Sequence, residues 1–271
     1  MELPGRISLI CADLDGTIIG ADLKVAPETV EAIREAEESG VRLVLCSGRM
    51  HCSVVPFHRE LGLSTPIISY NGAMAWTPGE PAPLSHLPLP RGAAEEIVRR
   101  YTAAGAHLLY FIDDALHVAE ETKWSRLYER RAGVTARITP DFAERFAGRR
   151  PTKIIVMDEP PKVEEMLAEA RGWYGERLHI TVSLPEHLEF MHPEATKGQA
   201  LRRVAKHLGV DMSETAGMGD ARNDIELLRE AAVGIAMGQA SEEVKAAADR
   251  VAPPCAEAGA ATAIRMVLGR E

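Results

Sequence analysis

Two aspartates one residue apart, Asp13 and Asp15, follow directly on the apolar run Ile7-Ser8-Leu9-Ile10-Cys11-Ala12. In extended chain, residues i and i+2 point the same way, so both carboxylates face one space. Two acids so close repel each other, and a hard cation such as Mg²⁺ relieves that repulsion. Gly16 lets the backbone turn sharply behind them, and Thr17 adds a hydroxyl and an amide. An acidic pair with a glycine also makes an ordinary surface turn. The full segment Asp13-Leu14-Asp15-Gly16-Thr17, placed after a hydrophobic strand, is a much narrower pattern.

Three further groups stand at comparable places. Ser47-Gly48-Arg49 follows the apolar run Val41–Cys46, where a hydroxyl and a glycine amide before a helix suit a phosphate oxygen. Alone, Ser-Gly after a strand is an ordinary turn; its weight comes from the strand end it occupies. Lys197 opens a helix, where an ammonium sits poorly with the macrodipole. A solvated charge is the plain alternative; a buried ammonium there would pair with Asp13 and a transferring phosphoryl group. Asp220 and Asp224, in Gly219-Asp220-Ala221-Arg222-Asn223-Asp224, add two carboxylates at another strand end. Asp224 also suits simple compensation of a helix N-terminus. Taken with Asp13 and Asp15 they make an oxygen-rich cage for Mg²⁺, and the Asn223 amide is placed to hold a phosphate oxygen or water. Gly217-x-Gly219 lacks the third glycine of a dinucleotide loop, since Arg222 stands there.

The elements that must carry these residues alternate. Apolar runs at 7–12, 41–46 and 66–70 read as strands, with helices near 27–39 and 50–61 between them, the order of a parallel sheet with crossovers. Pro78, Pro81, Pro83, Pro88 and Pro90 then break the pattern and mark a crossing into a second domain. There Ala94, Ile97, Val98 and Tyr101 share a helix face, as do Val163, Met166, Leu167 and Ala170. Strands are expected near 107–112, 115–119, 153–157, 179–183 and 188–191. From Lys197 the first pattern returns: a helix with Leu201, Val204 and Leu208, strands at 215–218, 233–236 and 249–252, helices at 223–231 and 241–248, and a last helix with Ala260, Ile264, Val267 and Leu268 on one face. The fold expected is α/β: a discontinuous Rossmann-like parallel-sheet core over 1–80 and 192–271, with an inserted α+β cap over 81–191.

Bulk properties narrow the partners. The net charge is −9, from 31 basic and 40 acidic side chains, which argues against a nucleic-acid or anionic membrane surface. A phosphorylated small molecule stays compatible, because a local cation reverses the sign of one pocket. No apolar run approaches the ~20 residues that span a bilayer, and Met1–Ile10 is too short and too poorly patterned for a signal peptide. The scattered cysteines, Cys11, Cys46, Cys52 and Cys255, read as buried or semi-buried thiols of a reduced, cytoplasmic compartment. The nine histidines form no cluster, and most read as surface or capping residues.

These motifs, in this order, resemble the haloacid dehalogenase superfamily, and within it the Cof-like sugar-phosphatase group with a class IIB cap. Asn71-Gly72-Ala73 at the cap hinge, Thr196-Lys197-Gly198, Ala236-Met237-Gly238 and Glu243-Val244-Lys245 add to the likeness. Ala258 and Ala221 depart from residues frequent in the group, away from the chemistry. The resemblance implies a hydrolase of small phosphate monoesters. Asp13 would be the nucleophile that forms an aspartyl-phosphate, and Asp15 the acid and then the base. Mg²⁺ would be held by Asp13, the Asp15 backbone carbonyl and Asp220, with Asp224 supporting through water. Ser47, Gly48, Lys197 and Asn223 would hold the phosphoryl group, with Asn71 and Arg49 near the substrate. A phosphosugar mutase and a non-catalytic phosphosugar sensor are the other readings; the intact Asp13–Asp15 pair weighs against the sensor. Substrate and oligomeric state stay open.

Overall fold

The computed structural model describes residues 5–270; Met1–Pro4 and Glu271, which the sequence reading assigns to the core, lie outside them. The chain forms two compact units. The first holds residues up to 48, 54–85 and 196 onward; the second holds 49–53 and 86–195. The chain passes between units a few residues beyond the limits 80 and 191 expected from the proline cluster. The extra group 49–53 reflects a helix whose first turn is held by the inserted segment.

The first unit opens with β1 (Leu9–Asp13), α1 (Pro27–Glu38), β2 (Arg42–Cys46), α2 (His51–Glu60) and β3 (Ile67–Ser69). Every residue of β1 is buried, as a strand covered on both faces requires. Pro27 supplies the first turn of α1 without wasting an amide, and Ser39-Gly40 ends it. Next, β4 (Met74–Trp76) folds back antiparallel on β3, a hairpin the apolar pattern does not announce, and β5 (Ser85–His86) is a two-residue edge.

The inserted unit contains α3 (Ala93–Ala103), β6 (His107–Ile112), β7 (Ala115–Val118), α4 (Lys123–Ala132), β8 (Arg137–Ile138), α5 (Phe142–Arg145), β9 (Lys153–Met157), α6 (Pro160–Tyr174), β10 (His179–Val182) and β11 (His187–Met191). Its strands lie in the order β10-β11-β9-β6-β7-β8. One face, with Leu108, Tyr110, Ile154, Val156, Leu188 and Phe190, packs on the apolar faces of α3 and α6. Alternate positions carry Phe111, Lys153, His187 and Glu189, all buried. Lys153 Nζ meets Glu189 Oε2 at 3.3 Å and lies 5.2 Å from the centre of the Phe111 ring, while Ser183 Oγ donates to Glu189 Oε1 at 2.6 Å. The β6–β7 turn puts Asp113 and Asp114 at φ 53° and 52°, the left-handed region. Asp114 accepts from the backbone amides of His51 (3.0 Å) and Cys52 (2.8 Å), the first turn of α2.

The chain returns through α7 (Lys197–Leu208), β12 (Thr215–Gly219), α8 (Ile225–Glu230), β13 (Val233–Ala236), α9 (Glu242–Lys245), β14 (Arg250–Val251) and α10 (Gly259–Val267). The first unit's sheet runs β14-β13-β12-β1-β2-β3-β4-β5, parallel from β14 to β3. Asp13 sits level with Cys46, and Ala12 with Met218. The carboxyl ends of β2, β1 and β12 therefore lie side by side.

His51, His58, His117 and His187 are the buried histidines, His58 Nε2 meeting the Thr65 carbonyl at 2.8 Å. One bulk expectation is corrected. Cys52 is exposed rather than buried. Among the described residues no helix is long and apolar enough to cross a membrane.

Candidate active site

Asp13 ends β1 and Lys197 begins α7, 184 residues later, yet their side chains meet at 2.5 Å. Lys197 Nζ also reaches Asp224 Oδ1 at 2.5 Å. Asp13 is 5% exposed and Lys197 1%. The solvated-charge alternative for Lys197 is excluded. The helix start that the ammonium disfavours is fixed by Thr196, whose hydroxyl accepts from the Gln199 amide at 3.2 Å. The second oxygen of Asp224 accepts from the amides of Asp220 and Ala221, both at 3.0 Å. Asp224 thus ties the loop after β12 to Lys197.

Carboxylate oxygens of Asp13, Asp220 and Asp224 converge within 4.8 Å of one another. Asp15 is exposed, and its charge acts on both Asp13 and Asp220. The turn that follows Asp13 is tight: the amides of Thr17, Ile18 and Ile19 all point at the Leu14 carbonyl. At Gly16 φ is +78°, and a Cβ would lie 2.4 Å from Asp220 Oδ2, so only glycine lets the turn approach that carboxylate.

The electrostatics are out of balance. Burial pushes the Asp13 carboxyl well above its ordinary range, and Asp224, Asp220 and Asp15 add to the rise while Lys197 opposes it. Asp220 is pushed up to about 6, first by burial and then by Asp224. Burial works against the Lys197 charge, but Asp13 and Asp224 outweigh it and hold the ammonium charged. The rise at Asp13 and Asp220 comes first from burial, and the neighbouring carboxylates add to it. Asp220 Oδ1 is buried without a protein hydrogen bond, as an oxygen free to meet a cation would be. The donor set, all carboxylate, fits a hard divalent ion.

A second set of predicted residues gathers beside these. Ser47 is buried at the end of β2; its amide donates to the Ile68 carbonyl at 2.9 Å and its carbonyl accepts from the Asn71 amide at 3.0 Å. Asn71, at φ 54°, turns its amide side chain so that Oδ1 accepts from Asn223 Nδ2 at 2.9 Å. A Cβ on Gly48 would stand 2.8 Å from Asn71 Oδ1, so the missing side chain makes room for this contact. Ser47, Gly48, Asn71 and Asn223 are therefore brought together within the first unit. Arg49 is not among them: it groups with residues 49–53 in the second unit.

Sequence reasoning missed Gln239. Its Nε2 donates to the Gly16 carbonyl at 2.6 Å and to Asp220 Oδ2 at 3.3 Å, and its Oε1 accepts from the Cys255 amide at 2.9 Å. The available signal was its place just past β13, another strand end of the same sheet.

Known proteins bear on this geometry. The family model for haloacid dehalogenase-like hydrolases matches residues 10–264. The chain is 28% identical to phosphatase YwpJ of Bacillus subtilis, over 97% of this chain and 100% of that protein. It is 30% identical to the 5-amino-6-(5-phospho-D-ribitylamino)uracil phosphatase YcsE of the same organism, over 96% and 95%. A solved haloacid dehalogenase-like hydrolase from B. subtilis superposes with a TM-score of 0.84 at 27% identity, covering 96% of this chain and 99% of that one. With a buried Asp–Lys–Asp cluster at its strand ends and likeness along nearly its whole length, the chain belongs to the haloacid dehalogenase-like hydrolases, as a phosphoric monoester hydrolase of the Cof-like group.

Proposed function

We propose that the protein is a Mg²⁺-dependent phosphatase of small phosphorylated metabolites that works through an aspartyl-phosphate on Asp13. The observation that carries this reading is the ammonium of Lys197 held 2.5 Å from Asp13 inside a cluster of carboxylates. Lys197 is positioned to accept charge from a phosphoryl oxygen as it develops. Ser47, the Gly48 amide and Asn223 take the remaining phosphoryl contacts, with Asn71 orienting Asn223 and Arg49 serving as a substrate contact.

In the first half-reaction an oxygen of Asp13 attacks phosphorus, the ester P–O bond breaks, and its electron pair leaves on the alcohol oxygen. Asp15 gives that oxygen a proton. In the second, Asp15 takes a proton from water as the water oxygen attacks phosphorus, and the acyl-phosphate P–O bond breaks to return Asp13 and free phosphate. Asp13, Asp220 and the Asp15 carbonyl would hold Mg²⁺, with Asp224 supporting through water; the ion supplies positive charge against the phosphoryl oxygens. Asp224, both of whose oxygens already serve Lys197 and the loop amides, acts mainly by orientation. The inserted unit is read as the cap domain of the group.

The test is phosphate release from a panel of sugar phosphates, nucleotides, pyridoxal phosphate and small phospho-acids, with and without chelation. Release that needs added Mg²⁺ is expected. Full turnover after exhaustive chelation overturns the cation, and transfer of phosphate to a second hydroxyl without release overturns hydrolysis.

A further inference from the structure

Gln239 links three segments through one side chain. An amide offers one acceptor oxygen and two N–H groups, and here both ends are engaged. Its orientation is fixed by chemistry: turned over, its oxygen would face the Gly16 carbonyl and the Asp220 carboxylate, and its NH₂ would face the Cys255 N–H. The same loop adds a second tie, since Cys255 Sγ donates to the Thr17 carbonyl at 3.3 Å. With Oδ2 of Asp220 held by Gln239 and seated over Gly16, Oδ1 is the oxygen left without a protein partner.

We infer that Gln239 is a positioning residue for the reaction: it sets the spacing between the Asp13–Thr17 turn and Asp220, and so leaves Asp220 Oδ1 as the oxygen offered to the cation. This rests on the Mg²⁺ reading given above. It acts through Asp220 and the Gly16 peptide, touching neither the phosphoryl-binding residues Ser47, Lys197 and Asn223 nor the nucleophile.

The experiment compares Gln239→Met, which keeps the length of the side chain, with Gln239→Ala. Mg²⁺ is titrated calorimetrically into the metal-free protein, and p-nitrophenyl phosphate kinetics are run across Mg²⁺ concentrations. Both variants are expected to bind Mg²⁺ about 10-fold or more weakly, as loss of an outer-shell partner does. kcat at saturating Mg²⁺ should fall while KM for the ester moves less than about twofold, because the phosphoryl contacts are untouched. Wild-type Mg²⁺ affinity and kcat in both variants overturn the inference. So does a joint loss of Mg²⁺ affinity, ester KM and melting temperature, which would make Gln239 a general strut. Wild-type protein that binds no Mg²⁺ overturns the cation reading itself, an outcome distinct from variants that match a binding wild type.

Discussion

Each compact unit buries a lysine against carboxylate, and the two are balanced differently. Lys153 meets the carboxylate of Glu189, whose other oxygen accepts from Ser183, with the Phe111 ring nearby. Lys197 stands between Asp13 and Asp224, with Asp220 and Asp15 acting on Asp13. In the first arrangement a lysine faces a glutamate; in the second several carboxylates crowd around one ammonium. Burial of a lysine therefore does not itself mark a reactive site. The mismatch of charge around it does.

The comparison can be broken at either pair. The largest effect is expected for Asp13→Asn, which should lower kcat at least about 10³-fold, since an amide is a poor nucleophile. Its melting temperature at neutral pH should equal or exceed that of the wild type, because one crowded carboxylate is gone; near-normal turnover in material free of deamidated enzyme would reject the mechanism. Lys197→Ala should cost roughly 10²-fold or more in kcat, and it should also destabilise the protein, since Asp13 and Asp224 lose their common cation. Unchanged kinetics would reduce Lys197 to a structural ion.

In the inserted unit the pattern reverses. Lys153→Met should destabilise by roughly 3–5 kcal/mol by leaving the buried Glu189 without the Lys153 ammonium, whereas Lys153→Met with Glu189→Leu should recover most of that loss. Denaturant melts of both variants decide the point, and kcat per folded molecule should stay within about twofold in the double variant. If the double variant melts as low as the single one, the pair is not self-contained.

The smallest effect concerns His187, beside that pair. Burial depresses its imidazole to about 4, with Lys153 and Arg131 adding to the drop and Glu189 and Glu186 opposing it. The native state stays neutral where the unfolded chain takes up a proton, below the ordinary 6.5. Native protein then binds fewer protons, so stability falls as pH drops from about 6.5 to about 4, by about 3 kcal/mol in all. His187→Gln should flatten that part of the pH–stability curve, and an unaltered slope would assign the acid limb elsewhere.

Most of the parallel sheet was legible because β1, β2 and β13 are short, largely apolar runs bounded by turns, while α3, α6 and α10 repeat at helical spacing and α1 is bracketed by Pro27 and Gly40. The acid of each site element was legible for the same reason: a strand that ends sharply delivers its next residue to one edge. The helix α4 was not legible. Its buried positions are Ser125, Tyr128 and Ala132, and small or polar side chains leave no apolar stripe, although Thr122 and Ser125 form a capping box. The short strands β4, β5 and β8 fall below any periodic signal. Gln239 was missed because its work is done by one amide bridging three segments distant in sequence, which no local spacing encodes. The double duty of Asp224 was hidden likewise: the motif offered a carboxylate, and only the fold shows both its oxygens already engaged.

The Asp114 contact with α2 bears on how such proteins exchange parts. In sequence, residues 86–195 look like a block that recombination could lift out and replace. In hydrogen bonding the block reaches further, because the amides of His51 and Cys52 are satisfied by its β6–β7 turn. A transplanted insert lacking an acceptor at that turn would leave the start of α2 bare, directly after Ser47-Gly48-Arg49. Inheritance of the insert and of the first turn of α2 is thus coupled, and chimaeras between relatives should carry residues 49–53 and the β6–β7 turn from the same parent.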